Sequence, residues 1–153
     1  MKPPPTGWPR ISSAVFYEEP AKAIDWLCRV FGFHVRVKVE GEGGRIEHSE
    51  LDFGGEGLIM VASAGGQSER PRAHCKSPSS LAGANTQSLC VCVEDADAHF
   101  QRARAEGAKI VSEPQTTDYG EEYWADRTYE VEDLEGHHWW FMQRVRDRNP
   151  SGR

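Results

Sequence analysis

The chain has 153 residues, enough for one domain or two small halves sharing a core. Hydrophobic residues make up 38% and charged residues 27%, a globular balance, and a formal net charge of −6 with scattered basic residues excludes a nucleic-acid footprint. No apolar run approaches the ~20 residues of a membrane span, and MKPPPTGWPR lacks the apolar core of a signal peptide, so the cytosol is the expected compartment.

Met1 to Arg10 is Pro-rich and predicted extended, with Trp8 as an anchor. Ile11 to Tyr17 alternates as a strand, with Ser12, Ala14 and Phe16 on one face. Glu18-Glu19-Pro20 opens a helix, because proline suits the first helical position and acids suit the positive end of the dipole. Ile24, Leu27, Cys28 and Phe31 form its inner face and Gly32 stops it. Phe33 to Glu40 is a strand. Gly41 to Gly44 is a turn. Arg45 to Phe53 is an unusually polar strand, with His48, Glu50 and Asp52 on one face. Gly54 to Gly57 turns into a strand over Leu58 to Ala62.

Ser63 to Asn85 is rich in Gly, Ser and Pro without periodicity and reads as a linker or mobile loop. The order then repeats. Thr86 to Val93 is a strand. Glu94 to Glu106 is a helix with Ala96, Phe100 and Ala103 inward, ended by Gly107. Lys109 to Ser112 begins another strand, and a polar, aromatic loop runs from Asp118 to Trp124. Arg127 to Glu132, the turn Asp133-Leu134-Glu135-Gly136, and His138 to Gln143 form a closing hairpin. Arg144, Arg146 and Arg148 read as a solvated tail.

Gly32 aligns on Gly107 at an offset of 75 and Gly57 on Gly136 at an offset of 79, so the second copy carries four extra residues. The expected fold class is α+β, with two βαβββ modules forming a curled mixed sheet around a cleft. The first module spans 11–63, the linker 64–85 and the second module 86–146, together one structural domain. The four cysteines form no CxxC pair. Cys90 and Cys92 share one strand face, and free buried thiols are expected.

Three stretches carry a family resemblance: Glu19-Pro20-Ala21-Lys22-Ala23-Ile24-Asp25-Trp26 with Phe31-Gly32-Phe33; Val93 to Ala98; and Asp126-Arg127 with Val131-Glu132-Asp133-Leu134-Glu135-Gly136-His137. Together they resemble the vicinal oxygen chelate superfamily of glyoxalases, bleomycin-resistance proteins and extradiol dioxygenases, over about Ile11 to Val145. The resemblance implies the paired-module fold and, in the family's enzymes, a divalent metal held by histidines and glutamates from the first and last strands of each module. Those positions fall here on Ser12, on Ser88 (or Gln87), on Val61 (or Met60) and on Trp140. None is a usual ligand for such metals, so neither metal nor cofactor is expected. A displaced site at His48, Glu50 and Asp52, or at His137 and His138, is outweighed by the plainer reading of wet strand faces.

An aromatic-lined cleft is expected instead, with Ser12, Phe16, Met60, Val61, Ser88, Trp124, Arg127, His138, Trp140 and Met142 as ligand-binding residues. Trp139 is expected in the core and Trp140 on the cleft side. The implied function is binding of a small aromatic or amphipathic molecule by a homodimer, without membrane or nucleic-acid partners. The alternative is an enzyme of glyoxalase or dioxygenase type, with a displaced metal or a carboxylate base such as Glu130.

Overall fold

The computed structural model describes residues 1–148, which fall into two compact units divided between Ala84 and Asn85. The first contains β1 (Ser13–Tyr17), α1 (Pro20–Trp26), β2 (His34–Glu40), β3 (Ile46–Phe53) and β4 (Gly57–Ser63). Its sheet runs in the order β1-β4-β3-β2. β1 lies parallel to β4, and the other pairs are antiparallel. Pro20 stands at the start of α1 as the sequence predicts, and a wider π-type turn over Leu27–Phe31 prolongs the helix to Gly32, whose φ of 85° only glycine adopts freely. Ala23, Ile24, Leu27, Val30 and Phe31 are buried with Val15, Tyr17, Leu51, Ile59 and Val61, which are the helix-facing side of the sheet. Cys28 is only half-buried.

The β3–β4 ladder runs from Phe53 opposite Gly57 to Leu51 opposite Ile59. Beyond it, two serine hydroxyls bridge the strands. Ser49 Oγ donates to the Val61 carbonyl (2.5 Å) and accepts from the Val61 amide (3.1 Å). Ser63 Oγ accepts from the Ile46 amide at 3.1 Å. Both serines are buried, so these hydroxyls satisfy backbone groups that would otherwise be orphaned. Ser49→Ala should therefore cost about 1–3 kcal/mol, read as a lower urea midpoint with unchanged slope.

Residues 64–85 are less bare than their composition suggests. Gln67 Nε2 donates to the Glu47 carbonyl (3.0 Å), and Ser68 donates to the Glu47 carboxylate through its amide (3.0 Å) and hydroxyl (2.5 Å). The two Ser68 bonds, the hydroxyl's foremost, hold the Glu47 carboxyl below its usual range. Pro78–Ser80 makes a 3-10 turn.

The second unit contains β5 (Leu89–Cys92), α2 (Ala96–Ala105), β6 (Lys109–Asp118), β7 (Ala125–Glu132) and β8 (His138–Arg146), with sheet order β5-β8-β7-β6. β5 is parallel to β8 and the other pairs are antiparallel. Asp95 caps α2, accepting from the Ala98 amide at 2.9 Å, and Gln143 Oε1 accepts from the Ala96 amide at 3.1 Å. Ala96, Phe100 and Ala103 are buried as their spacing predicts. β6 continues well past Ser112 to Asp118, because register shifts between Ile110 and Ser112 and between Ser112 and Gln115 accommodate Pro114 without ending the strand. Among the described residues, no helix is long and apolar enough to cross a membrane.

The turn between β7 and β8 is built on Asp133. Its Oδ1 accepts from the amides of Glu135 and His137, both at 3.0 Å, and its Oδ2 accepts from Trp139 Nε1 at 3.0 Å. A buried carboxylate thus closes the turn and fixes the indole two strand residues beyond it. Gly136, with φ of 90°, takes the left-handed position.

Candidate functional site

Alternation along β8 separates the two adjacent tryptophans. Trp139 is fully buried, in a stacked arrangement with Phe141 at 6.5 Å between centroids. Phe141 in turn stacks on Tyr129 (5.4 Å) and on His99 of α2 (4.1 Å), and Phe100 meets Tyr129 edge-on at 5.5 Å. This is the helix-covered face. Burial raises the Tyr129 hydroxyl pKa, and the hydroxyl shares a 2.6 Å hydrogen bond with His99 Nδ1.

Trp140 points the other way and is 37% exposed. No helix of its own unit covers that face. Strand register places Cys90 beside Trp140 and Cys92 beside Met142 on one side, and Glu130 beside Trp140 and Thr128 beside Met142 on the other. His138, one strand repeat away, meets the Trp140 ring edge-on at 5.5 Å and 88°.

His138 also joins two partners, one on β7 and one just ahead of β5. Its Nε2 lies 3.0 Å from Glu130 Oε2, and its Nδ1 lies 3.2 Å from Ser88 Oγ. With the imidazole proton on Nε2, Glu130 accepts it and Nδ1 accepts from the serine hydroxyl. The His138 backbone is fixed separately, its amide donating to Asn85 Oδ1 at 3.1 Å. A carboxylate–imidazole–hydroxyl chain thus borders an exposed indole. The sequence names all three members without joining them; Glu130 on β7, His138 on β8 and Ser88 just ahead of β5 are brought together by the strand register.

Further along the same sheet, Arg144 lies over the Trp124 ring (5.2 Å to the centroid) and donates to Asp126 Oδ1 at 2.5 Å. Tyr119 and Tyr123 pack against Trp124 at 5.7 and 6.0 Å. Trp124 is therefore held in an aromatic cluster and capped by a cation that Asp126 neutralises. Arg146 bonds to Asp118, so two arginines of the predicted tail are engaged on the sheet.

Two expectations about this surface are corrected. Arg127 belongs to the opposite face: its Nε and a terminal nitrogen donate to the two carboxylate oxygens of Asp97 on α2, at 2.6 and 2.7 Å. Alternation puts it with Tyr129 and Val131, under the helix. Cys90 and Cys92, expected buried, are exposed, on the side of β5 away from the buried Phe100, Tyr129 and Phe141 cluster that α2 covers. Arg127→Ala should give a small, salt-sensitive drop in thermal midpoint and leave ligand affinity unchanged. Asp97 is held below its usual pKa, chiefly by its hydrogen bond to Arg127. The contribution is present at neutral pH and fades as pH falls below about 4, through the folded-state pKa, so the wild-type advantage should vanish in acid.

The first sheet has a face turned away from α1. Ala14 pairs with Met60 and Phe16 with Ala62, and Phe16 and Met60 are half-buried. Ser12 stands just ahead of β1, its Oγ shielded from solvent without a hydrogen-bond partner. Val61 does not join them: it is fully buried on the helix side, and Met60 takes the exposed register. His48 Nε2 lies 3.1 Å from Glu50 Oε1 and Arg36 Nε 3.3 Å from Glu50 Oε2, so the buried Glu50 carboxylate is paired. Asp52 instead accepts from the Gly55 amide at 3.0 Å to close the β3–β4 turn. His137 lies 3.3 Å from Asp133 in the other turn. Among the described residues no group of three or more His, Cys, Asp or Glu side chains is placed to hold a metal ion.

A family model described as Glyoxalase/Bleomycin resistance protein/Dioxygenase superfamily matches residues 10–141. The chain belongs to that superfamily. An uncharacterised Mycobacterium bovis protein, Mb0911c, is 31% identical over 145 residues, covering 92% of this chain and 87% of its own. The crystal structure of TioX from Micromonospora sp. ML1 superposes with a TM-score of 0.68 at 34% identity, covering 88% of this chain and 98% of its own. TnmS3 from Streptomyces sp. CB03234, described as an antibiotic binding protein, superposes at 0.61 with 18% identity over 88% and 93% of the two chains, and shares the fold. The α+β class and the family expectation are both borne out, with two four-stranded mixed sheets carrying helices. At the positions to which the resemblance assigns metal ligands, Ser12, Met60, Ser88 and Trp140 carry two hydroxyls, a thioether and an indole in place of carboxylates and imidazoles.

Proposed function

We propose that this superfamily member is a small-molecule binding protein that holds a planar aromatic or amphipathic ligand on the open face of its second sheet. Trp140 carries the reading, a large aromatic left exposed on an ordered strand. Met142 adjoins it, and the His138–Glu130–Ser88 chain supplies donors and acceptors at its edge. TnmS3, an antibiotic binding protein, supports the reading to this extent: the same fold is used to bind an antibiotic. The chain is proposed to act in the cytosol as a homodimer, and light scattering on the purified protein should give about twice its 17.2 kDa.

The binding test is a tryptophan-emission titration with planar polycyclic compounds bearing hydrogen-bonding groups. Saturable 1:1 quenching is expected. Emission unmoved across the panel would contradict the reading.

A second reading rests on the same hydrogen-bonded chain. Glu130 and His138 are arranged to accept a proton from a substrate lying against Trp140, without a metal. Under that reading His138→Gln would abolish turnover of an enolisable substrate while sparing its binding. Equal loss of binding and turnover would return His138 to ligand recognition.

A further inference from the structure

We propose that Cys90, Cys92 and Met142 form a three-sulfur site for a soft monovalent cation of the copper group. The β5–β8 register places the three sulfurs independently of the binding reading, although the two share Met142 and Trp140.

Cys90 and Cys92 are alternate residues of β5, so their side chains leave the same face, about 7 Å apart along the strand. The parallel β5–β8 register sets Met142 directly beside Cys92 and Trp140 beside Cys90. Neighbouring strands lie about 4.8 Å apart, which brings the thioether within reach of a body held by both thiols. Both cysteines are exposed and free. Alternate residues of an extended strand sit at or beyond the Cα separation that a disulfide tolerates, so the two thiols converge on a third atom more readily than on each other.

The donor set selects the ion. Two thiolates and a thioether are soft donors, which favour Cu(I) over magnesium, calcium or manganese. Three coordination suits Cu(I), while structural zinc calls for four ligands, and among the described residues no group of three or more His, Cys, Asp or Glu side chains is placed to hold it. The two cysteines bind as thiolates. One Cu(I) displaces one proton from each, forming two copper–thiolate bonds and one thioether contact, with no change in oxidation state.

The test titrates the reduced full chain anaerobically with Cu(I) buffered by bicinchoninate, following both chelator absorbance and tryptophan emission. One Cu(I) per chain is expected, with quenching of Trp140. The Cys90→Ser/Cys92→Ser double variant should bind at least about 100-fold more weakly, and Met142→Leu about 10-fold more weakly. Zinc should not displace the ion. Bound Cu(I) should also shield Cys90 and Cys92 from iodoacetamide while Cys28 labels at its usual rate, a readout that needs no variant to fold. Wild-type affinity in the double variant, a ratio other than one per chain, equal competition by zinc, or unshielded Cys90 and Cys92 would each overturn the proposal.

Discussion

Trp139→Ala should destabilise the protein by about 3–5 kcal/mol and lower its thermal midpoint by about 10 °C or more. The indole is fully buried and stacked in line with Phe141. Its removal leaves a cavity that the rigid β8 backbone cannot close. It also takes away the Nε1 donor to Asp133 Oδ2, leaving part of a buried carboxylate less well satisfied at the turn that starts β8. A loss of that size is comparable with a typical domain's whole stability, so a largely unfolded sample at 37 °C is a realistic outcome. Trp139→Phe should recover much of the packing but not the hydrogen bond. The phenylalanine variant should therefore fall between wild type and alanine in a urea titration. Equal stability of all three would show that Trp139 is not the centre of the second core.

The neighbouring substitution, Trp140→Ala, should behave in the opposite way. Its side chain is 37% exposed and belongs to the uncovered face. Stability should change by less than about 1 kcal/mol. Affinity for a planar aromatic ligand should fall by about 10–100-fold, since a stacked ring and the apolar area beneath it are lost together. Trp140→Phe should retain most of that affinity. His138→Ala should weaken ligands with a hydrogen-bonding edge more than purely apolar ones, because it removes the group that joins Glu130 to Ser88. A stability loss at Trp140 matching that at Trp139 would mean that the open face is core.

Much of this was legible in the sequence because strands alternate. The inner set Tyr129, Val131, Trp139 and Phe141 and the outer position of Trp140 follow from periodicity alone. The slip from Val61 to Met60 has a local cause. Gly57 is already a strand residue, paired with Phe53 and outside the left-handed region, whereas Gly136 sits in the turn with φ of 90°. The two glycines are not equivalent, so counting four residues from each lands on opposite faces.

Arg127 was misplaced for another reason. Its partner Asp97 is 30 residues away on α2, and no local pattern records that pairing. The exposure of Cys90 and Cys92 depends on which side of the sheet α2 covers, a fact of packing that composition does not carry. The Glu130–His138–Ser88 chain draws on β7, β8 and the residue just ahead of β5, and only the register brings it together.

The most direct test of the binding face uses methionine. The chain has three methionines, and Met142 lies on β8 two residues beyond Trp140. With methyl groups labelled with carbon-13, titration of an aromatic compound that quenches tryptophan emission should shift the Met142 methyl resonance upfield through the ligand's ring current. The Met1 resonance should stay in place, and the Met142 shift should disappear in Trp140→Ala. Saturable binding with the Met142 signal unmoved would place the ligand elsewhere and contradict the account.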